Sequence, residues 1–180
     1  SSCYLLVDGD SVEIKEAEEI WGKTVLEAHD ALTGEYGDKN ISILQCGPAG
    51  EKLVRFACLM CDFNNAAGRG GMGAVFGSKN LRALVVKGSG SVDFEDSDGL
   101  KELARLGMKR VPGSGFPEIL KKFGTPGVVA PQAEGGNMAT HNFSRSWHKD
   151  YKKLHGATYD EELSAGSTTC FGCVLACRKK

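Results

Sequence analysis

Gly68-Arg69-Gly70-Gly71-Met72-Gly73 matches the pattern G-x-G-x-x-G letter for letter, yet the residues after it leave no room for the fold that pattern usually marks. A dinucleotide-binding β-α-β unit needs a crossover of about a dozen residues or more. Here Ala74-Val75-Phe76-Gly77 runs at once into Ser78-Lys79-Asn80, a turn, and then into the apolar strand pattern of Leu81–Lys87. Asp93 stands near the distance expected of a ribose-binding carboxylate, but the helix is missing. A P-loop fails as well, because Gly77-Ser78-Lys79 inverts the required order of Gly, Lys and Ser/Thr. What is left is a ledge of bare backbone whose N–H and C=O groups can approach a ligand closely. Beside it stands Arg69, a guanidinium fork suited to a phosphate or a flat ring system. An anionic, planar, phosphate-bearing ligand fits this loop; the plainer alternative is a tight glycine turn with Arg69 in solvent.

The second chemical signal is Cys170-Phe171-Gly172-Cys173-Val174-Leu175-Ala176-Cys177, a C-x2-C-x3-C run. Three soft thiolates this close in sequence can converge on one iron–sulfur cubane. Phe171, Val174 and Leu175 supply apolar shielding, which helps set a cluster's potential. Two other readings stay open. The cysteines at i, i+3 and i+7 could be buried on one helical face, or they could join a zinc site, which needs four protein ligands. Cys3, Cys46, Cys58 and Cys61 read as small core residues. The fourth cluster ligand is expected beyond Lys180. The odd count of seven cysteines, crowded at one end, fits reduced thiols rather than a secreted disulfide scaffold.

Strand and helix signals divide the chain. Apolar runs at 4–7 and 12–14 flank the turn residues Asp8-Gly9-Asp10-Ser11, a hairpin pattern. A short helix is expected over 15–21. Thr24 with Glu27 forms a capping box opening a helix through Leu32, ended by Gly34 and Gly37. Ile41–Cys46 reads as a strand stopped by Gly47-Pro48, 53–61 as an extended apolar segment, and 64–73 as a loop. After Gly88 the composition turns polar, so a boundary falls in the linker 89–98. Beyond it, Ser97 is expected to cap a helix with Leu100, Leu103 and Ala104 inward. Pro117 opens another, with Ile119, Leu120 and Phe123 on its apolar face and Gly124 at its end. Residues 128–142 read as irregular, and Thr158 with Glu161 as a second capping box. The chain has 41% apolar and 25% charged residues and a net charge of -1. That composition carries no electrostatic footprint for nucleic acid or an anionic membrane, and no apolar run could span a bilayer. Ser1, with no initiator Met, and the stop after the cysteine run read as cuts in a longer chain.

Taken together, several blocks resemble the aldehyde:ferredoxin oxidoreductase family, and they stand in the family's order. They are Gly47-Pro48-Ala49-Gly50-Glu51, Val54-Arg55-Phe56-Ala57, the run from Ala67 through the glycine loop to Ala83, the segment 135–143 with Thr140-His141-Asn142-Phe143, and the cysteine run. The resemblance implies an α+β chain. Residues 1–90 would be the later part of a β-rich, pterin-saddle domain, and 91–180 the start of a mainly helical region. It implies pterin binding at Arg69, Gly70, Gly71 and Gly73, and ligation of a 4Fe-4S cluster by Cys170, Cys173 and Cys177. It further implies tungsten or molybdenum held by two pterins, whose phosphates are bridged by a magnesium ion through backbone carbonyls, one of them at Gly70.

The activity so implied is oxidation of small aldehydes to carboxylic acids by a cytoplasmic enzyme, with ferredoxin as electron acceptor and room for a homo-oligomer of the full-length protein. A pterin-metal subunit of an aromatic acyl-CoA reductase is the alternative within the family. A nicotinamide-dinucleotide protein, or a small iron–sulfur or zinc module, is the alternative outside it. The family's acid/base groups lie downstream of this chain. Met138-Ala139 in place of Leu-Pro, His141 in place of Arg, Cys46 in place of a small or apolar residue, and Val174 in place of Pro depart from the family pattern and bear on subfamily and substrate.

Overall fold

The structure is a computed structural model that describes every residue except 38, 39, 89 and 180. Ser89, the first residue of the expected linker, therefore lies outside the described residues. The chain divides into two compact units, Ser1–Val92 and Asp93–Lys180.

The first unit is built on a six-stranded mixed sheet. Its strands are β1 (Cys3–Asp8), β2 (Ser11–Glu16), β3 (Ile41–Cys46), β4 (Leu59–Cys61), β5 (Asn65–Ala67) and β6 (Leu81–Lys87). They lie in the order β2-β1-β6-β3-β4-β5. The hairpin forms as its pattern requires, with Asp8 paired to Ser11 and Gly9 left-handed in the turn. The chain then leaves the sheet edge and returns, so that β6 inserts parallel to β1 and antiparallel to β3.

Helix α1 (Val25–Tyr36) crosses one face of the sheet. Thr24 caps it with the full reciprocal box to Glu27. The helix runs through Gly34 and stops at Gly37. Ala28 and Leu32 meet Tyr4, Leu6, Ile43, Ala83 and Val85 in the core. Strand alternation sends Leu5, Val7, Val12, Ile14, Leu84 and Val86 to the opposite face. Two short helices, α2 (Pro48–Glu51) and α3 (Met72–Ser78), complete the unit. Pro48 opens α2, where its missing N–H costs nothing.

Several local expectations for this unit are corrected. Residues 15–21 are not a helix: Lys15 and Glu16 extend β2 against Tyr4 and Cys3, and a turn follows that buries Ala17 and Ile20. The segment 53–61 is extended only at its end. After α2 the chain tightens, with the Leu53 and Val54 N–H groups donating to the Gly50 and Ala49 carbonyls and Leu53 left-handed. The loop 64–73 contains β5 and the start of α3. Of the four scattered cysteines, Cys46 alone is fully buried.

The second unit holds α4 (Ser97–Arg110), α5 (Gly115–Phe123), α6 (Val129–Glu134) and α7 (Gly156–Glu162), followed by a two-stranded ribbon of β7 (Ser167–Thr168) and β8 (Arg178–Lys179). Here too the caps shift. Asp96, not Ser97, caps α4 by accepting from the Gly99 N–H. His155 caps α7 through Nδ1, while the Thr158 hydroxyl donates to the Lys152 carbonyl. Leu100 and Leu103 are exposed within this unit rather than inward. The stretch expected to be irregular holds α6, which buries Ala133. α5 starts two residues before Pro117 and ends, as expected, at Gly124.

Candidate functional site

The glycine loop leaves β5 at the sheet edge and enters α3 directly. Asp62 and Phe63, both left-handed, turn the chain between β4 and β5. Asp62 is anchored there by the Ile43 N–H at 2.9 Å. β5 is antiparallel to β4, and the seven-residue α3 leads into β6. β5, which precedes the loop, and β6, which follows it, are not neighbours in the sheet, so the loop does not join two adjacent parallel strands as a dinucleotide-binding β-α-β unit would.

The glycines divide by what surrounds them. A Cβ at Gly71 would stand 2.1 Å from the Arg55 carbonyl oxygen, at Gly73 2.4 Å from that of Cys58, and at Gly77 1.9 Å from that of Gly50. These three positions let α3 lie against neighbouring backbone, and all three are buried. At Gly68 and Gly70 a Cβ would meet nothing within 4 Å. The backbone offered to solvent is therefore 68–70, with the exposed Arg69 among it and Gly70 left-handed at φ 84°. Gly71 and Gly73 fix where that ledge stands.

The same unit holds a buried ion pair. Arg82 in β6 is fully buried, and its Nε stands 3.0 Å from Glu51 Oε1. The same guanidinium donates to the carbonyls of Ile20 and Lys23, each at 3.2 Å. Both Glu51 oxygens accept from the Gly22 N–H. One Arg82 nitrogen, Nη1, is buried without a hydrogen-bond partner. Burial pulls the Arg82 pKa down, opposed by its neighbours Cys46 and Glu51. Burial likewise pushes the Cys46 thiol up. Glu51 and Arg82 stand in the family-like blocks, but no motif assigns them to each other. The available signal was a lone arginine inside an otherwise apolar strand, which is stable there only when paired.

The three clustered cysteines occupy an irregular loop between β7 and β8, not a helix. That removes the reading of three core cysteines on a helical face. Pairing of Thr168 with Arg178 closes the loop at its base. The Cys173 N–H donates to the Cys170 carbonyl, and the Thr169 hydroxyl donates to the Cys173 carbonyl. Gly172 is left-handed at φ 68°. Cys170 and Cys173 are exposed, Cys177 is half-buried, and all three are free thiols. At the C-cap of α5, a Cβ on Gly124 would stand 2.8 Å from the Cys177 carbonyl. Among the described residues, no three His, Cys, Asp or Glu side chains already converge as metal ligands.

His141 lies on a four-residue turn closed by the Thr140–Arg145 bridge. His141, Asn142 and Phe143 are all left-handed. The His141 ring stacks on His148 with centroids 5.9 Å apart. A cavity of about 630 Å³ runs along α4 and touches none of these candidate residues. No described helix is long and apolar enough to cross a membrane.

Comparison with known proteins accounts for both units. The family model for the N-terminal domain of aldehyde ferredoxin oxidoreductase matches residues 1–88, and the model for domains 2 and 3 of the same enzyme matches 102–180. The tungsten-containing aldehyde ferredoxin oxidoreductase of Pyrococcus abyssi is 38% identical over 179 residues, 97% of this chain and 29% of that protein. Its Thermococcus kodakarensis counterpart is 35% identical over the same coverage. An aliphatic sulfonate oxidoreductase WOR-like subunit of Pyrococcus furiosus is 32% identical over 84% of this chain and 25% of its own length. Among solved structures, the active-site complex BamBC of benzoyl coenzyme A reductase superposes with a TM-score of 0.73 at 22% identity, over 98% of this chain and 29% of its own. The chain thus spans under a third of the length of these relatives. Two adjoining family models, matched in order along nearly the whole sequence, establish that this chain belongs to the aldehyde ferredoxin oxidoreductase family.

Proposed function

We propose that the full-length protein oxidises aldehydes to carboxylic acids and passes the electrons to a ferredoxin. The net conversion takes one aldehyde and one water to one carboxylic acid, two protons and two electrons. The observation that carries this reading is the ledge at 68–70, open to solvent and rigidly backed, in a chain 38% identical to a tungsten-containing aldehyde ferredoxin oxidoreductase. The residues fit a bis-pterin metal group: a left-handed glycine with no Cβ to shield its amide, flanked by an exposed guanidinium able to pair a phosphate. The donor set of Cys170, Cys173 and Cys177 fits a 4Fe-4S cluster, being three free thiols on one short closed loop.

When bound, the tungsten centre supplies two-electron chemistry and the cluster single-electron transfer. Arg69 and Gly70 would hold the pterin, the Gly70 carbonyl would be available to a magnesium ion accompanying it, and Gly71 and Gly73 set the loop in place. Cys170, Cys173 and Cys177 would hold the cluster as thiolates. The second unit is the start of the helical region, and the fourth cluster ligand and the acid/base groups come from the remainder of the protein. The enzyme works in the cytoplasm, where seven free cysteines stay reduced. The 180-residue chain alone is inactive.

The test is metal analysis of the full-length protein purified without air. Cys173→Ser is expected to lower iron while leaving tungsten in place, and Arg69→Ala to lower tungsten while leaving iron. Wild-type levels of both metals in both variants contradict the assignment. Aldehyde-dependent reduction of ferredoxin or a viologen by the isolated 180-residue chain contradicts the expectation that it is inactive.

A further inference from the structure

We infer that Glu51 and Arg82 are positioning residues for the cofactor ledge, a buried clamp that fixes 68–70 through the contact of α2 with α3. This rests on the reading of 68–70 as the pterin-binding loop. The chain of contact is continuous. Arg82, on the central strand β6, ties the turn at Ile20 and Lys23 to Glu51, the last residue of α2. Glu51 returns two contacts to the Gly22 amide, so the turn and α2 move as one piece. One residue earlier, Gly50 faces α3 backbone to backbone. A Cβ on Gly50 would stand 2.6 Å from the Gly73 carbonyl oxygen, and one on Gly77 1.9 Å from the Gly50 carbonyl oxygen. Gly71, the N-cap of α3, lies just as close to Arg55, and the Gly73 N–H donates to the Ala57 carbonyl at 2.9 Å. α3 therefore cannot shift along α2 without a backbone clash, and α2 cannot shift while Arg82 holds Glu51.

Neither charged group is needed for packing alone. A buried ion pair is a weak source of net stability, and well-packed apolar residues serve as well or better. Its directional hydrogen bonds do what apolar contacts do not: they specify one position for the elements they join. The clamp acts on α2, so its effect on ligand binding runs through the geometry of α3 and the loop that leads into it.

The experiment compares full-length holoenzymes carrying Arg82→Lys, Glu51→Gln, Arg69→Ala and, as a control, Leu32→Ala. Leu32 is a buried core residue of α1 and serves to match the loss of thermal stability. The readouts are tungsten and pterin retained after gel filtration over time, iron content, and Tm. Arg82→Lys and Glu51→Gln are expected to release tungsten about 10-fold faster than wild type, the scale of outer-shell changes at metal sites. Iron is expected to stay at the wild-type level, and Leu32→Ala at a similar Tm to hold its tungsten. Release from the clamp variants no faster than from Leu32→Ala, while Arg69→Ala does release tungsten, overturns the clamp and leaves the loop reading standing. Full retention by Arg69→Ala overturns both. Failure of both clamp variants to accumulate in soluble form, with Leu32→Ala soluble, contradicts a role confined to the loop.

Discussion

Two kinds of glycine share the motif at 68–77, and substitution separates them. Gly73→Ala drives a Cβ into the Cys58 carbonyl at 2.4 Å, where only backbone movement relieves the contact. Overpacking of this kind costs about 1–3 kcal/mol or more, and urea denaturation is expected to show that loss. Gly70→Ala meets no neighbour and carries only the left-handed penalty of about 1–2 kcal/mol. Arg69→Ala, on an exposed side chain, is expected to change stability by no more than about 0.5 kcal/mol, so any loss of tungsten in that variant reports binding. Removing Arg82 as Arg82→Met leaves Glu51 buried and unpaired, which costs about 3–5 kcal/mol. The motif shows none of this division. G-x-G-x-x-G states where side chains are missing, and only the surrounding backbone states what fills the space.

At the scale of elements, some local signals carried through and others lost to a neighbour, as Ser97 did to Asp96 and Thr158 to His155 at the caps of α4 and α7. The Thr24–Glu27 box is complete within four residues, and it forms. Thr24→Ala is expected to remove about 1 kcal/mol of stability, measured at the denaturation midpoint. The hydrogen bonds from Thr24 hold the Glu27 carboxyl below its ordinary pKa. A carboxylate with a depressed folded pKa stabilises above its unfolded value, and that contribution is lost as pH falls through the folded one. Protection of the first turn of α1 against hydrogen exchange, corrected for intrinsic rates, is thus expected to weaken on acidification below the usual carboxylate range. A Thr24→Ala helix is expected to show little of that dependence. The strands Ile41–Cys46 and Leu81–Lys87 were legible end to end because Gly47-Pro48 and Ser78-Lys79-Asn80 punctuate them. Residues 15–21 misled because their helical spacing competes with pairing to Tyr4 and Cys3, a partner strand that the window does not contain. In α4 the apolar spacing was right for a helix and silent about its surroundings: Leu100 and Leu103 remain exposed in their own unit. Of the candidate site, the glycine run at 68–73 and the cysteine run at 170–177 stand out by residue type. The Glu51–Arg82 clamp does not, since its two members are joined only by the fold.

For the whole molecule, the unequal covering of apolar surface is the governing fact. α1 seals one face of the sheet, while Val12 and Ile14 on the other are 65% and 75% exposed. In the second unit, Leu103, Phe116, Phe143 and Phe171 are also exposed. Apolar surface of this extent marks contact with other protein layers. The 180-residue chain alone is therefore expected to bind a hydrophobic dye such as ANS, and Val12→Lys with Ile14→Lys to lower that binding; unchanged fluorescence contradicts an open sheet face. The central claim is that one polypeptide joins a pterin ledge to a three-thiol cluster loop. Its most direct test is tungsten and iron measured together on the full-length protein purified without air. The account predicts tungsten with two pterins, and about four irons as a 4Fe-4S cubane. A pure, folded protein free of both metals contradicts it.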